Sequence, residues 1–268
     1  MNAPETIRYT HPFLAGTVQS EAHCSAGRCD LPILYNDASQ VMALYRVSID
    51  AASALLPDQH VEPLTVLGKA VAGFVAFEYR DTSAGRYNEI GLVILVQRRK
   101  TQPSLLRLLR NPASEPDAAF YVINLPVTTE LARAAGAEFW GYPKYVTEIS
   151  TRFSAEEIDI TLAGELKFHC HTGTGLALPA FALATFSTHG GKLLRTDIPA
   201  HGRVHFGGAR SVELQCLGDG PTARTVKALS LDTSKPFLVC RNDALRVILP
   251  AGIEVPEARR AVEVETST

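Results

Sequence analysis

Apolar and polar residues alternate along several stretches of this chain, a pattern typical of strands that bury one face. The clearest early example occupies every second position from Val41 through Ala43, Tyr45 and Val47 to Ile49. Other stretches are short apolar runs rich in valine, phenylalanine and isoleucine. Together these patterns predict further strands at 70–79, 87–96, 119–125, 145–153, 158–162, 165–171, 204–217, 237–240 and 245–249.

Helical patterns are few. Residues 49–56 predict a short helix, which ends at Pro57 because proline cannot continue a helix. Residues 128–135 predict a second helix, with threonine available as its N-cap and Gly136 near its end. A polar segment containing Gly85 separates the strands at 70–79 and 87–96, which predicts a turn and makes these two strands a hairpin.

Many short strands with few helices predict a β-dominated α+β fold. Its antiparallel sheet is expected to be closed or sandwiched, because exposed strand edges invite pairing with other chains. Residues 1–38 are polar and are interrupted by Pro4, Pro12 and Pro32, so they are predicted to form an N-terminal arm. Residues 39–268 are predicted to form one domain, since 268 residues with 46% apolar content can build a large core.

The composition excludes several classes of function. The formal net charge is -2, without the basic excess that holds a nucleic-acid backbone. No run of about 18 apolar residues predicts a membrane span, and the first residues do not resemble a signal peptide. The five cysteines are odd in number and scattered, so they are expected to be reduced thiols in a cytoplasmic protein.

One aromatic segment carries the clearest candidate chemistry. Residues 138–145 read EFWGYPKY and place Lys144 among Trp140, Tyr142 and Tyr145. An ammonium pressed against aromatic rings loses hydration, which favours the neutral amine that can attack a carbonyl group. The alternatives are a solvated surface lysine, or a lysine that stays charged over an aromatic face as a cation–π contact.

Two glutamates in the predicted hairpin form a second candidate group. If the turn centres between Ser83 and Ala84, Glu78 and Glu89 lie opposite each other, with Cβ atoms about 4.5–5.5 Å apart. Two carboxylates so close do not both ionise easily, which suits them to acid–base catalysis. The alternatives are a one-residue register shift, which sends one glutamate to the other face, or neutralisation by a nearby arginine such as Arg80.

The segment EFWGYPK resembles the lysine motif of the acetoacetate decarboxylase family, in which the lysine after Gly-aromatic-Pro is the Schiff-base nucleophile. Four further segments resemble that family in the same order: 55–57, 77–89, 226–229 and 246–250, the last two as closing strands. The resemblance extends from Val41 to Val255. It implies a closed or cone-like antiparallel barrel and a homo-oligomer, a tetramer or larger.

The resemblance also assigns roles to residues. It implies that Lys144 is the nucleophile, that Glu78 and Glu89 handle protons, and that no cofactor is needed because the protonated imine accepts the electrons. The aromatic residues predicted to contact the substrate are Trp140, Tyr142, Tyr145 and Tyr87. The implied function is that of a lyase acting on a small keto acid or other carbonyl compound.

Two departures from the family pattern leave the reaction open. Tyr145 stands where the decarboxylase has a second lysine, and Ala38 stands where it has an arginine that suits a substrate carboxylate. Arg28 and Arg46 are candidate substitutes for this arginine, although neither falls on the family motif. Decarboxylation is ranked first; aldolase-dehydratase chemistry on the same iminium ion and a non-catalytic barrel that binds a hydrophobic carbonyl ligand are the alternatives.

A metal site is not predicted. His169 and His171 share one face of a predicted strand, but no third ligand is spaced along the sequence to complete a zinc site with them.

Overall fold

The computed structural model describes residues 9–57, 60–171, 175–207 and 212–256. Within these ranges the helices are α1 (Ile49–Ala54), α2 (Leu105–Arg110), α3 (Glu130–Trp140) and α4 (Pro221–Ala228), and a 3-10 turn spans Pro112–Ser114. The strands are β1 (His23–Cys24), β2 (Gly27–Arg28), β3 (Ile33–Val47), β4 (Val61–Pro63), β5 (Ala70–Thr82), β6 (Tyr87–Arg98), β7 (Ala118–Val127), β8 (Lys144–Val146), β9 (Ile149–Phe153), β10 (Glu157–Leu162), β11 (Leu166–His171), β12 (Leu176–Pro179), β13 (Leu183–His189), β14 (Lys192–Ile198), β15 (Ala200–His201), β16 (Arg203–Gly207), β17 (Val212–Cys216), β18 (Leu238–Leu249) and β19 (Ile253–Glu254).

Thirteen of the strands in the described ranges form the main sheet. Its order is β12-β16-β18-β3-β5-β6-β7-β13-β14-β19, with β15 beside β18, β4 beside β6 and β8 beside β7. The neighbours are antiparallel except that β7 runs parallel to β8 and to β13. The pairing is thus an open path of strands, and closure of this sheet into a barrel stays a prediction.

A smaller sheet covers one face of the main sheet. It has the order β17-β11-β10-β9, and its apolar residues share one core with the even-numbered positions of β5 and β6. Phe74 of β5 stacks on Phe168 of β11 with ring centroids 4.7 Å apart. Ile90 and Leu92 of β6 are fully buried in the same core, as the two-residue period of a strand requires.

The odd-numbered residues of β5 and β6 point to the opposite face. Val75, Phe77, Glu89 and Val93 lie there and line a cavity. The side chains of these two strands therefore alternate between a packed core and a cavity wall.

Several predicted elements are confirmed. The fold is β-dominated with few helices, and the helix after residue 48 begins at Ile49, where the Ser48 hydroxyl accepts a hydrogen bond from the Ala51 amide. The hairpin of β5 and β6 is also present.

No disulfide joins any of the five cysteines. Among the described helices, none is long and apolar enough to cross a membrane.

Other predictions were wrong in detail. Strands already occur inside the predicted N-terminal arm: β1 pairs with β2, and β3 begins at Ile33, before the start of its alternating pattern. The segment 226–229, predicted as a closing strand, belongs largely to α4, which starts with Pro221 at its first turn. The helix predicted for 128–135 continues to Trp140, and the two predicted strands at 237–249 form one strand with irregular pairing.

Candidate active site

A helix-to-strand turn sets the position of Lys144. Helix α3 ends at Gly141, which has the left-handed conformation (φ 66) that favours glycine. A Cβ at this glycine would lie 2.3 Å from the carbonyl oxygen of Thr188, so any larger residue would collide with the backbone of β13. The chain then turns through Pro143 into β8, where Lys144 pairs with Leu125 of β7.

Lys144 and Glu89 form a buried ion pair. The distance from Lys144 Nζ to Glu89 Oε2 is 2.7 Å, and the two side chains are 7% and 9% exposed. The Nζ atom also lies 5.7 Å from the centre of the Tyr87 ring. Because a buried charge is strongly destabilising without a partner, this pair holds the amine and the carboxylate in contact inside the protein.

Three tyrosines surround this ion pair. Tyr79 donates a hydrogen bond from its hydroxyl to Glu89 Oε1 (3.3 Å), and the hydroxyls of Tyr35 and Tyr87 are 2.8 Å apart. Burial raises the pKa of each of these phenols well above its usual value, and the Glu89 carboxylate raises it further. The three hydroxyls therefore stay protonated at neutral pH.

The ion pair forms part of the wall of a cavity of about 160 Å³. A row across three neighbouring strands contributes Gln40, Phe77 and Glu89, which are paired in register. Most of the remaining lining is apolar and comes from the main sheet. No arginine lines this cavity among the residues that the structure describes.

Tyr142 and Trp140 lie at different distances from the cavity. Tyr142 lines it, and its hydroxyl is 2.7 Å from that of Thr185. Burial raises the pKa of Tyr142 to about 12. Trp140 stacks behind Tyr142, with ring centroids 6.1 Å apart, and donates its indole hydrogen to the Pro250 carbonyl oxygen. Trp140 thus supports the wall and does not line the cavity.

Glu78 does not face Glu89, so the predicted opposition of the two carboxylates was wrong. Phe77 pairs with Glu89, and Glu78 pairs with Asn88. The turn is tight because the Thr82 hydroxyl accepts from the Ala84 amide and donates to the Gly85 carbonyl oxygen. This shifts the register from the expected one, and a shift of one position sends a side chain to the other face of the sheet.

On that other face, Glu78 has partners of its own. It forms an ion pair with Arg80 (2.7 Å) and accepts a hydrogen bond from Thr151 of β9 (3.3 Å). Arg80 also binds Asp37, and this contact lowers the pKa of the Asp37 carboxyl. The predicted neutralisation by Arg80 is therefore present, and Glu78 does not line the cavity.

Tyr145 also points away from the cavity. Its hydroxyl lies 2.5 Å from that of Thr222 and 3.1 Å from Glu165 Oε1. Glu165 is buried and accepts hydrogen bonds from the Thr222 and Ala223 amides (2.8 and 3.0 Å) in the first turn of α4. Tyr145 therefore joins a polar cluster that anchors α4, and it does not contact Lys144 Nζ.

Neither of the substitute arginines lies at the cavity. Arg28 binds Asp30 (2.7 Å), and the Arg46 guanidinium lies 4.8 Å from the centre of the Phe237 ring. Ala38, at the position of the family's arginine, is fully buried.

The sequence analysis missed four polar or aromatic residues of the site: Tyr35, Gln40, Tyr79 and Thr185. The strand alternation carried a signal for Gln40, since it lies between inward-facing positions on a strand otherwise rich in apolar residues. No such signal marked Tyr35, because irregular pairing of β3 with β5 between Tyr35 and Ala38 disturbs the alternation there.

Comparisons with known proteins identify a family and a fold. The sequence model of the family described as acetoacetate decarboxylase (ADC) matches residues 21–171. The fold is similar to that of an acetoacetate decarboxylase from Legionella pneumophila, with 14% identity, a TM-score of 0.64 and coverage of 96% of this chain and 99% of that chain. A second structure, from structural studies of acetoacetate decarboxylase, has 18% identity, a TM-score of 0.62 and coverage of 85% and 91%.

A third similar structure is the enduracididine biosynthesis enzyme MppR complexed with pyruvate. It has 14% identity, a TM-score of 0.58 and coverage of 95% of this chain and 99% of that chain. At these identities the structures show a shared fold. A search among curated protein sequences gave no significant match.

Proposed function

The chain belongs to the acetoacetate decarboxylase family, and we propose that it is a lyase in which Lys144 forms a Schiff base with a small carbonyl substrate. The observation that carries this proposal is the buried contact of Lys144 Nζ with Glu89 in the wall of a cavity. Imine formation needs an amine that can lose its proton and an acid–base group beside it, and the cavity gives a small carbonyl compound room to reach both.

Imine formation begins with the transfer of a proton from the Lys144 ammonium to Glu89, 2.7 Å away. The neutral amine attacks the carbonyl carbon and gives a carbinolamine. Glu89 then returns a proton to the hydroxyl, which leaves as water, and a protonated imine remains. Carboxylate and iminium ion are thus formed side by side, and each stabilises the other inside the cavity.

The iminium ion is the electron sink for the next step, so the proposal requires no cofactor. In a β-keto acid, the electrons of the bond to the carboxylate move into the iminium ion, which releases CO₂ and leaves an enamine. In other carbonyl compounds, a base removes the α-proton and gives the same enamine, which attacks an aldehyde or eliminates water. Hydrolysis finally restores the Lys144 amine.

The cavity lining favours the second route for this protein. A substrate carboxylate would need a cation or several donors, and in the described lining the cation is Lys144, whose charge is already paired with Glu89. Aldolase-dehydratase chemistry on an uncharged carbonyl compound is therefore the second candidate function. MppR is described in complex with pyruvate and with the condensation product of pyruvate and imidazole 4-carboxaldehyde.

Borohydride trapping tests the proposal directly. The protein is incubated with acetoacetate, with pyruvate plus an aldehyde, or with an uncharged methyl ketone, and the imine is reduced to a stable secondary amine. Peptide mass spectrometry then locates the adduct. Lys144→Ala should abolish it, whereas the matched control Lys167→Ala, on the exposed face of β11, should leave it in place.

The products separate the candidate functions. Release of CO₂ from acetoacetate identifies a decarboxylase, and a condensation or dehydration product identifies an aldolase-dehydratase. If Lys144 remains unmodified by every carbonyl compound in the panel, the Schiff-base proposal is wrong. A ketone that binds without forming an adduct would then support the non-catalytic ligand-binding barrel.

The family resemblance also carries the proposals of a closed barrel and of a homo-oligomer, a tetramer or larger. Sedimentation velocity measures the mass of the assembly in solution. A species of about 29.0 kDa would contradict the oligomer, since this is the mass of one chain.

A further inference from the structure

A cluster of potential metal ligands lies on the smaller sheet, away from the Lys144 cavity. Strands β10 and β11 pair so that Glu157 is opposite His171 and Asp159 is opposite His169. Residues two apart on a strand share a face, so all four side chains lie on the same face of the sheet. None of them lines the cavity that contains Lys144.

The spacing of the ligand atoms fits one metal ion. The Glu157 carboxylate and the imidazoles of His169 and His171 each offer one ligand atom, and these atoms lie within 4.8 Å of one another. The two Nε2 atoms are 3.3 Å apart. Two nitrogens bound to zinc at about 2.0–2.1 Å in tetrahedral geometry are separated by roughly 3.3–3.4 Å, so the imidazoles already have the required separation.

Asp159 orients one of these imidazoles. Its Oδ1 atom is 2.7 Å from His169 Nδ1, which places the imidazole hydrogen on Nδ1, so Nε2, which contacts His171 Nε2, is the atom of this ring that can bind a metal. A carboxylate on the second ring nitrogen is the common arrangement around metal-bound histidine, where it fixes the tautomer and the ring orientation.

From this geometry we propose that Glu157, His169 and His171 bind a divalent transition-metal ion of the zinc type, with Asp159 as the positioning residue for His169. Two imidazoles and one carboxylate suit zinc, and three protein ligands leave one tetrahedral position for water. The ion links β10 to β11 on the face of the smaller sheet opposite the core.

The third ligand explains why the sequence did not predict this site. His169 and His171 lie two residues apart on one strand, but Glu157 precedes His169 by twelve residues and reaches the two histidines only through the pairing of β10 with β11.

Arg152 is a competitor at this site. Its guanidinium contacts Glu157 Oε1 (2.5 Å) and Asp159 Oδ2, and its side chain is 63% exposed. A metal ion displaces it from Glu157 at a small energetic cost, because exposed ion pairs contribute little to stability. Arg152→Gln should therefore bind the metal more tightly than the wild-type chain.

Zinc binding to the full-length protein tests the proposal. After removal of metals with a chelator, equilibrium dialysis against Zn²⁺ should give one ion per chain, and added Zn²⁺ should raise Tm. His169→Ala and His171→Ala should each abolish both effects. Asp159→Ala should weaken binding by about 10–100-fold, the range for a partner of a metal-bound histidine. The control is His189→Ala, an exposed histidine at the end of β13.

The outcomes are distinct. Stoichiometric binding that is lost in the two histidine variants and kept in His189→Ala supports the site. Zinc binding that is equal in the wild type and in the His169→Ala/His171→Ala double variant overturns it, since the ion then binds elsewhere. Absence of binding to the wild type also overturns it and leaves the two imidazoles as a simple hydrogen-bonded pair.

Discussion

Gly136 leaves the space that the side chain of Lys144 occupies. A Cβ added to this glycine, in the middle of α3, would lie 2.4 Å from both Cδ and Cε of Lys144 and 3.0 Å from Nζ. The obstructed atoms belong to a flexible side chain, so an added methyl group would displace the lysine and leave the backbone in place. The amine that is proposed to attack the substrate is thus held in position by the absence of a side chain on the helix beside it.

Replacement of this glycine should separate reactivity from stability. In Gly136→Ala we expect the rate of imine trapping at Lys144 to fall on the order of 100-fold, because small misplacements of a reacting group have effects of that size. The free energy of unfolding should change by no more than about 1 kcal/mol, since alanine also favours the helix. Trapping kinetics and urea denaturation measure the two effects.

The control for this variant is Gly207→Ala, where an added Cβ meets no atom within 4 Å. If Gly136→Ala traps the substrate as fast as the wild type, the position of Lys144 does not depend on this contact.

The two glutamates of the hairpin should differ sharply in effect. Glu89→Gln keeps the shape of the side chain but removes the carboxylate that exchanges a proton with Lys144, so imine trapping should slow by about 100-fold or more. Glu78→Gln should trap at the wild-type rate, because Glu78 lies on the other face of the sheet and binds Arg80. Its stability should fall by about 1 kcal/mol or less, as expected for a partly exposed ion pair.

Borohydride quenching of both variants at a series of times measures these rates. Equal slowing in Glu78→Gln and Glu89→Gln would contradict the assignment of the proton-handling role to Glu89 alone.

Tyr145 is expected to contribute to stability and not to reactivity. Tyr145→Phe removes the hydrogen bonds to Thr222 and Glu165, which should lower the free energy of unfolding by about 1 kcal/mol. The trapping rate per folded molecule should not change, since the hydroxyl lies in the cluster that anchors α4. Chemical denaturation and imine trapping on the same samples test this. A lower trapping rate in fully folded Tyr145→Phe would show that Tyr145 contributes to the substrate site.

The cavity tyrosine Tyr142 should make the protein sensitive to alkaline pH. Burial raises its pKa from 10.0 to about 12, so the folded state holds its proton more tightly than the unfolded state does. The resulting stability is present below pH 10 and is lost as the pH rises from 10 to 12, on the order of 2–3 kcal/mol in full. In Tyr142→Phe this component of the pH dependence should be absent.

Urea midpoints measured between pH 9 and 11.5 give the two slopes. The other buried tyrosines are present in both proteins, so the difference between the slopes isolates Tyr142. Identical slopes would show that its hydroxyl ionises in the folded protein as it does in the unfolded chain.

A cation in the cavity wall should change the substrate preference. Gln40 lines the cavity in register with Phe77 and Glu89, so Gln40→Arg places a guanidinium where it can pair with a substrate carboxylate. Trapping of pyruvate should then increase about tenfold or more, the effect of one charge-assisted hydrogen bond. The volume control is Gln40→Leu, in which the trapping of pyruvate should not increase. If the wild type already prefers keto acids over an uncharged ketone, the inference that the cavity suits uncharged substrates is wrong.

The sequence by itself determined the main strands and indicated Lys144 as the candidate nucleophile. Alternation with a period of two residues located part of the first long strand, and apolar runs located the two strands of the hairpin. Both patterns reflect burial and need no knowledge of neighbouring strands. The aromatic segment around Lys144 indicated a lysine in an apolar environment, and the structure places that lysine in the wall of a cavity.

Only the tertiary structure decided which partners these residues meet. The register of β5 against β6 depends on the hydrogen bonds of one tight turn, and its shift placed Phe77, instead of Glu78, opposite Glu89. Glu157 reaches His169 and His171 only across the pairing of two strands, and Gly136 gives room to Lys144 only because α3 packs beside β8. Such contacts arise between residues distant along the chain or from a register that small changes in a turn can shift, so no local pattern in the sequence records them.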